Sequence, residues 1–184
     1  MKEKGLENVA AFMTSGTPEE IADLLASMTG DVGAGSDMWR QRAHALALTL
    51  MTALCDLRDQ GKITLTPQII RDHLHLGGGV SREAVASKTH RAERCALVLS
   101  EKESQSIDAR TGLLPLYLRA LKGEMSEATI RSMTAFFNTL PGFSLEKAVA
   151  GEPQSVRTVE QFGYMSMMIS KPLGALIDEA GHVD

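Results

Sequence analysis

Residues Ser36 to Gly61 read SDMWRQRAHALALTLMTALCDLRDQG, and this stretch decides the fold. Trp39, Ala43, Leu46, Leu50, Leu54 and Leu57 recur at three- and four-residue steps, which places them on one face of an α-helix. Ser36 can cap the start and Gly61 can stop the end. The predicted helix runs from about Asp37 to Gln60 and is roughly 36 Å long at 1.5 Å per residue. A helix of that length is a spine for everything around it.

The neighbouring segments repeat the theme at smaller scale. On the N-terminal side, Thr17-Pro18-Glu19-Glu20 opens a helix that carries Ile21, Leu24, Leu25 and Met28 and stops near Gly30. A glycine-rich linker is expected over Gly30 to Gly35. On the C-terminal side, Thr66-Pro67 opens a short helix through Ile69, Ile70 and Leu74, ending at Gly77-Gly78-Gly79. A polar helix is predicted from Ser81 to Glu103, and another from Ser106 to Lys122 with Pro115 starting or kinking it. Ser126 caps a helix through Ile130, Met133, Phe136, Phe137 and Leu140, broken at Pro141-Gly142. The last helix begins near Ser155 with Val159, Phe162, Ile169, Leu173 and Leu176, and Pro172 predicts a kink. Only 4% of residues are aromatic while ten are Met, a usage that favours packed helices over a β-sandwich. The expected fold class is all-α, an irregular helical bundle in a soluble, globular chain.

Charge and motifs exclude several functions. The net charge is −4, and the whole acidic excess lies in residues 2–31. A protein that grips duplex DNA along a broad face carries a basic excess instead. Phosphate-loop and nucleophile-elbow patterns are absent, as is any apolar run long enough for a membrane span. Cys55 and Cys95 are far apart and imply no disulfide framework. His73 and His75 stand two apart, so they do not share a helix face and read as an exposed helix end rather than metal ligands. Asp178 and His182 have the spacing of a helix-end contact; an acid–base role for them, with Glu160, lacks any cleft. Arg82, Lys88, His90, Arg91 and Arg94 against Glu83 and Glu93 form the most basic stretch, a solvated face or a patch for an acidic partner or phosphate. Met165, Met167 and Met168 read as core first and adaptable docking surface second. Trp39 reads as a packing anchor, while Arg42 and Arg58-Asp59 are candidates for ion pairs between helices.

Two blocks, taken in order, resemble the type IV coupling proteins. The first runs from Asp37, Trp39, Arg42 and Ala43 to Leu57, Arg58 and Asp59, then Leu65 and Ile70-Arg71-Asp72. The second is Glu160, Gln161, Gly163 and Tyr164 with Met167, continuing to Gly174, Leu176, Asp178 and Gly181-His182, with Leu140-Pro141-Gly142-Phe143 between the blocks. The nearest branch is the DotL- and TrbC-like one of Dot/Icm secretion and I-type plasmid conjugation. The resemblance covers about residues 17–76 and 126–184 and departs across 77–125, a possible variable insertion.

The family implies membrane-anchored, homo-hexameric, RecA-like ATPases that use ATP and Mg and deliver substrates to a type IV secretion channel. The matching region is the all-alpha domain between the nucleotide-binding motifs, implicated in recognising relaxosome proteins, DNA or secreted-substrate adaptors. On that resemblance residues 1–184 are one all-alpha domain excised from a larger ATPase. It would act by binding, without catalytic, cofactor or metal residues of its own. It would be cytoplasmic and monomeric, while its parent is anchored at the cytoplasmic face of the bacterial inner membrane. Arg82, Lys88, Arg91 and Arg94 are the candidate partner or single-stranded DNA contacts. The family-motif positions Trp39, Arg42, Arg58, Asp59, Arg71, Asp72, Glu160, Gln161, Gly163, Tyr164, Asp178 and His182 are expected to be structural. Two alternatives stand beside it: a free-standing helical adaptor that docks a partner through the Met-rich last helix, and a small helical enzyme using Asp178 and His182.

Overall fold

The computed structural model describes residues 11–29, 36–77 and 111–180, and every regular element among them is helical. A helical turn over residues 11–15 leads into α1 (Pro18–Ser27), the spine α2 (Ser36–Asp59) and α3 (Pro67–His73). Beyond residue 110 come α4 (Leu113–Arg119), a π-helical turn (Ala120–Glu124), α5 (Glu127–Thr139), α6 (Leu145–Ala150) and α7 (Val156–Ala180). The architecture is an irregular all-α bundle. The linker expected at 30–35 and the polar helix expected from Ser81 to Glu103 lie outside the described residues.

The spine is central because its apolar face is wide. Ala43, Leu46, Leu50, Leu54 and Leu57 are buried, and so are Ala47, Met51 and Ala53, so α2 packs against α1, α5 and α7 at once. Trp39, at the end of the face, is only half-buried. The ends of the shorter helices are set by local chemistry. Thr17 and Glu20 form a reciprocal capping box, with Glu20 N–H donating to Thr17 Oγ1 at 3.2 Å and Thr17 N–H to Glu20 Oε2 at 2.8 Å. Thr66 and Ser126 cap α3 and α5 in the same way, from one side only.

Helix α4 starts without a capping side chain, and the reason explains how the chain is stitched. The residue before it is Gly112, and Pro115 in its first turn has no N–H to satisfy. The two remaining donors, Leu113 N–H and Leu114 N–H, bond to the carbonyls of His75 and Leu76 at 2.9 and 2.8 Å. Gly112 has φ +107°, and a Cβ there would lie 2.8 Å from the Cα of Gly77 and 2.9 Å from the His75 ring. Only two glycines allow this approach. Residues 75–77 and 111–115 thus meet, and Leu113, Leu114, Leu116 and Tyr117 behind them are buried in the main core. Pro115 therefore sits in the first turn of a helix rather than inside one.

Two details differ from the sequence reading. Leu145–Ala150 is a helix although its pattern gives no inward face: Leu145 and Val149 are exposed, and only Ala148 is buried. Local caps hold it, with Ser144 accepting from Lys147 N–H at 3.2 Å and Gly151 ending it in the left-handed region. His73 and His75, expected at an exposed helix end, are half-buried instead. His73 Nδ1 lies 2.9 Å from the Ile69 carbonyl and His75 Nε2 lies 3.2 Å from Thr111 Oγ1. Burial pushes both imidazoles below their ordinary pKa, and for His75 the neighbouring His73 adds to it. The exposed-end reading fails because α7 packs on α3 and residues 111–114 meet the chain just after it, neither of which α3 alone can announce.

Candidate partner-binding surface

The spine and the last helix bring the two motif blocks together at one surface. On α2, Trp39 and Arg42 are three residues apart and share a face; on α7, Gln161 and Tyr164 do the same. The rings of Trp39 and Tyr164 meet at 5.4 Å between centroids with a tilt of 52°. The Arg42 guanidinium carbon stands 5.3 Å from the centre of the Trp39 ring, a cation–π arrangement. Arg42 Nη1 donates to Gln161 Oε1 at 2.7 Å. Arg42 is exposed, and the other three side chains are half-buried. Met38 and Met167, on the same two helices, are 52% and 42% exposed, an unusual allowance for large apolar side chains.

The ion pairs expected of the two motif arginines take another form. Among the described residues Arg42 bonds a neutral amide, not a carboxylate. Arg58 pairs with the adjacent Asp59 at 2.8 Å and spends Nη1 on the carbonyls of Met13 and Gly16 at 3.2 and 2.9 Å. It thereby fastens the turn 11–15 to the spine. Arg71 and Asp72 lie exposed on α3, where Asp72 accepts from Gln68 at 2.7 Å. Gly163 and Glu160 are half-buried on α7. Met165 is buried and Met168 packs against the core, so Met167 is the one of the three that faces outward. Arg82, Lys88, Arg91, Arg94 and His182, and the side chain of Asp178, lie outside the described residues.

Asp56 escaped the sequence reading. Its Oδ2 accepts the Ser126 N–H at 2.8 Å and the Thr129 hydroxyl at 2.6 Å, and its Oδ1 accepts from Gln60 at 2.6 Å. A capping box normally takes the cap N–H on a Glu three residues later, but α5 has Thr129 there. Asp56 supplies the missing carboxylate from the spine. Partial burial works against its charge, yet these hydrogen bonds hold its pKa down to about 2. The missing Glu after Ser126 was the available signal. Cys55, next to it, is buried, and burial pushes its thiol up to about 11 against the pull of Arg58, so it is an inert core residue.

A shallow cavity of about 310 Å³ lies between α1, α2 and α7, walled by Ala26, Ala43, Ala47 and Ile169 with Arg40 and His44 among its lining. His44 Nε2 is 2.8 Å from Asp23 Oδ1. Among the described residues no group of three or more His, Cys, Asp and Glu is arranged to hold a metal ion.

The surface is built of two aromatic rings, a guanidinium and an amide, and a relative gives it a setting. The chain is 26% identical over 186 residues to the type 4 coupling protein DotL of Legionella pneumophila. The match covers 99% of this chain and 20% of DotL. The likeness is to one region of a type IV secretion coupling protein. It runs through residues 77–125 too, where the resemblance read from motifs lapses. The chain spans about a fifth of the length of this curated relative. No family model matches the chain, and no solved structure matches it at a significant level.

Proposed function

We propose that this chain is the substrate-recognition all-alpha domain of a type IV coupling protein and acts by binding. The observation that carries the reading is the similarity to DotL, which takes in nearly the whole chain and a fifth of the relative. Its size suits one domain within a larger machine. The meeting of both motif blocks at Trp39, Arg42, Gln161 and Tyr164 supports it, because one surface then accounts for residues more than a hundred positions apart. The partners are relaxosome proteins or secreted-substrate adaptors, with Arg82, Lys88, Arg91 and Arg94 adding attraction for an acidic protein or single-stranded DNA. The parent would be a homo-hexameric ATPase that uses ATP and Mg and is anchored at the bacterial inner membrane. No helix among the described residues is long and apolar enough to cross a membrane.

The test is replacement of this segment in the full-length parent by an unrelated helical domain. Loss of substrate transfer with ring assembly and ATP hydrolysis retained is the expected result. Undiminished transfer removes the reading. A second reading, a helical adaptor docking through its Met-rich last helix, has the exposure of Met167 in its favour. Loss of partner binding on Met167→Ser in a folded chain, with transfer unaffected by the domain exchange, would select it.

A further inference from the structure

We propose that Trp39, Arg42, Gln161 and Tyr164 form a platform that reads a carboxylate flanked by an apolar side chain in an acidic peptide segment of a partner protein. This names the partner chemistry of the surface described above and rests on the reading of the chain as a binding domain. The argument begins with Arg42. Arg58, Arg119 and Arg131 each have a carboxylate partner, Asp59, Glu124 and Glu127. Arg42 is held by a neutral amide oxygen and the face of an indole, and no carboxylate among the described residues is within ion-pair distance of it. A guanidinium has five N–H donors, and the Gln161 bond uses one. The charge is therefore fixed in place, and no carboxylate among the described residues neutralises it.

Fixing it matters for recognition. A long exposed side chain loses rotamer freedom when it binds, and two anchors made beforehand reduce that loss. The planar fork then presents paired donors in the geometry that carboxylates accept. The rings beside it complete the surface. Trp39 and Tyr164 are half-buried, so they are rigid and still accessible, and Met38, next to Trp39 in the chain, is exposed. Trp, Tyr and Arg are the residues that dominate binding energy at protein interfaces. One charge beside two rings fits one acidic residue next to one apolar residue.

Nucleic acid fits less well. A strand carries a phosphate at every nucleotide and gains affinity from several cations together. Here one guanidinium lies against the rings, with Asp37 two residues before Trp39 and Glu160 just before Gln161 in the chain. A peptide needs only one carboxylate on Arg42 and can keep its other positions neutral.

Trp39 is the only tryptophan, so its indole N–H gives one assignable resonance at the site. The experiment titrates the chain with the peptide acetyl-Gly-Leu-Glu-Leu-Gly-amide, with its Glu-to-Gln counterpart and with oligo-dT, following that resonance. The Glu peptide is expected to shift it in the millimolar range, and the Gln peptide to bind about tenfold more weakly. Arg42→Gln should abolish the difference, with circular dichroism and Tm unchanged. Arg42→Lys keeps the charge without the fork and should fall between; it also serves if Arg42→Gln fails to fold. Equal binding of the two peptides, no shift with either, or a difference that survives Arg42→Gln would overturn the proposal. A shift by oligo-dT alone would overturn it in favour of nucleic acid. Discrimination through Arg42 in a chain that captures no relaxosome or adaptor protein keeps the platform and removes the secretion reading. Capture intact in Arg42→Gln does the reverse.

Discussion

Arg42 and Arg58 stand sixteen residues apart on the same helix, about 24 Å along its axis, and do opposite things. Arg58, with its side chain 12% exposed, is consumed by the fold: two backbone carbonyls and a neighbouring carboxylate take its donors. Asp56, two residues before Arg58, is consumed likewise by the start of α5. Arg42 is exposed, and its partners among the described residues are a neutral amide and an aromatic face. The C-terminal end of the spine ties neighbouring segments together, and the N-terminal end presents groups outward. Polar residues of one type in one helix are thus taken up by the fold or left at the surface according to how much backbone lies within their reach.

That contrast breaks first, if it breaks, at Arg58. Arg58→Ala orphans two carbonyl acceptors beside the core and should cost about 2–3 kcal/mol in chemical denaturation, since hydrogen bonds to charged groups are worth that much. A change below half that value would mean that water replaces the guanidinium. Asp56→Ala should cost about 1–2 kcal/mol, the worth of a helix cap. Its pKa is lowered to about 2, so its contribution is complete above the ordinary carboxylate range and is lost as pH falls from about 4 towards 2. Asp56→Asn should therefore flatten stability against pH in that window, as thermal melts would reveal.

The histidines at the junction of α3 and α4 give a smaller effect at milder pH. Burial lowers both pKa values, so the unfolded chain takes up protons that the folded chain resists. Tm should fall as pH drops below about 6.5, and His75→Gln should weaken that slope. An unchanged slope in that variant would assign the dependence elsewhere. Arg42→Gln should alter stability least, within about 0.5 kcal/mol, because the side chain is exposed. A larger loss would show that the platform holds the bundle together and would blur the contrast between the two ends.

Much of the fold was legible because periodicity and capping are local. The apolar steps from Trp39 to Leu57, the helix start at Thr17-Pro18 and the Ser126 cap appear in the structure as they read in the chain. Helix α6 was not legible, since its caps act over a few residues while Leu145 and Val149 face away from the core. The site was half legible. The motif positions Trp39, Arg42, Gln161 and Tyr164 stood out, but as scaffold, and nothing in their order said that they touch. Burial at His73 and His75 was misread because the covering residues begin at Thr111.

By itself the sequence determined the spine and most of the other helices, and it carries no phosphate-loop motif. These depend on side-chain spacing and on bonds between residues a few positions apart. Tertiary structure alone decided which polar groups were used up. Asp56 caps a helix seventy residues away, Arg58 bonds carbonyls more than forty residues behind it, and Arg42 meets Gln161 at a separation of 119. A hydrogen-bonding group is satisfied by whatever lies within 3 Å or so of it. Only packing of the helices sets that neighbourhood.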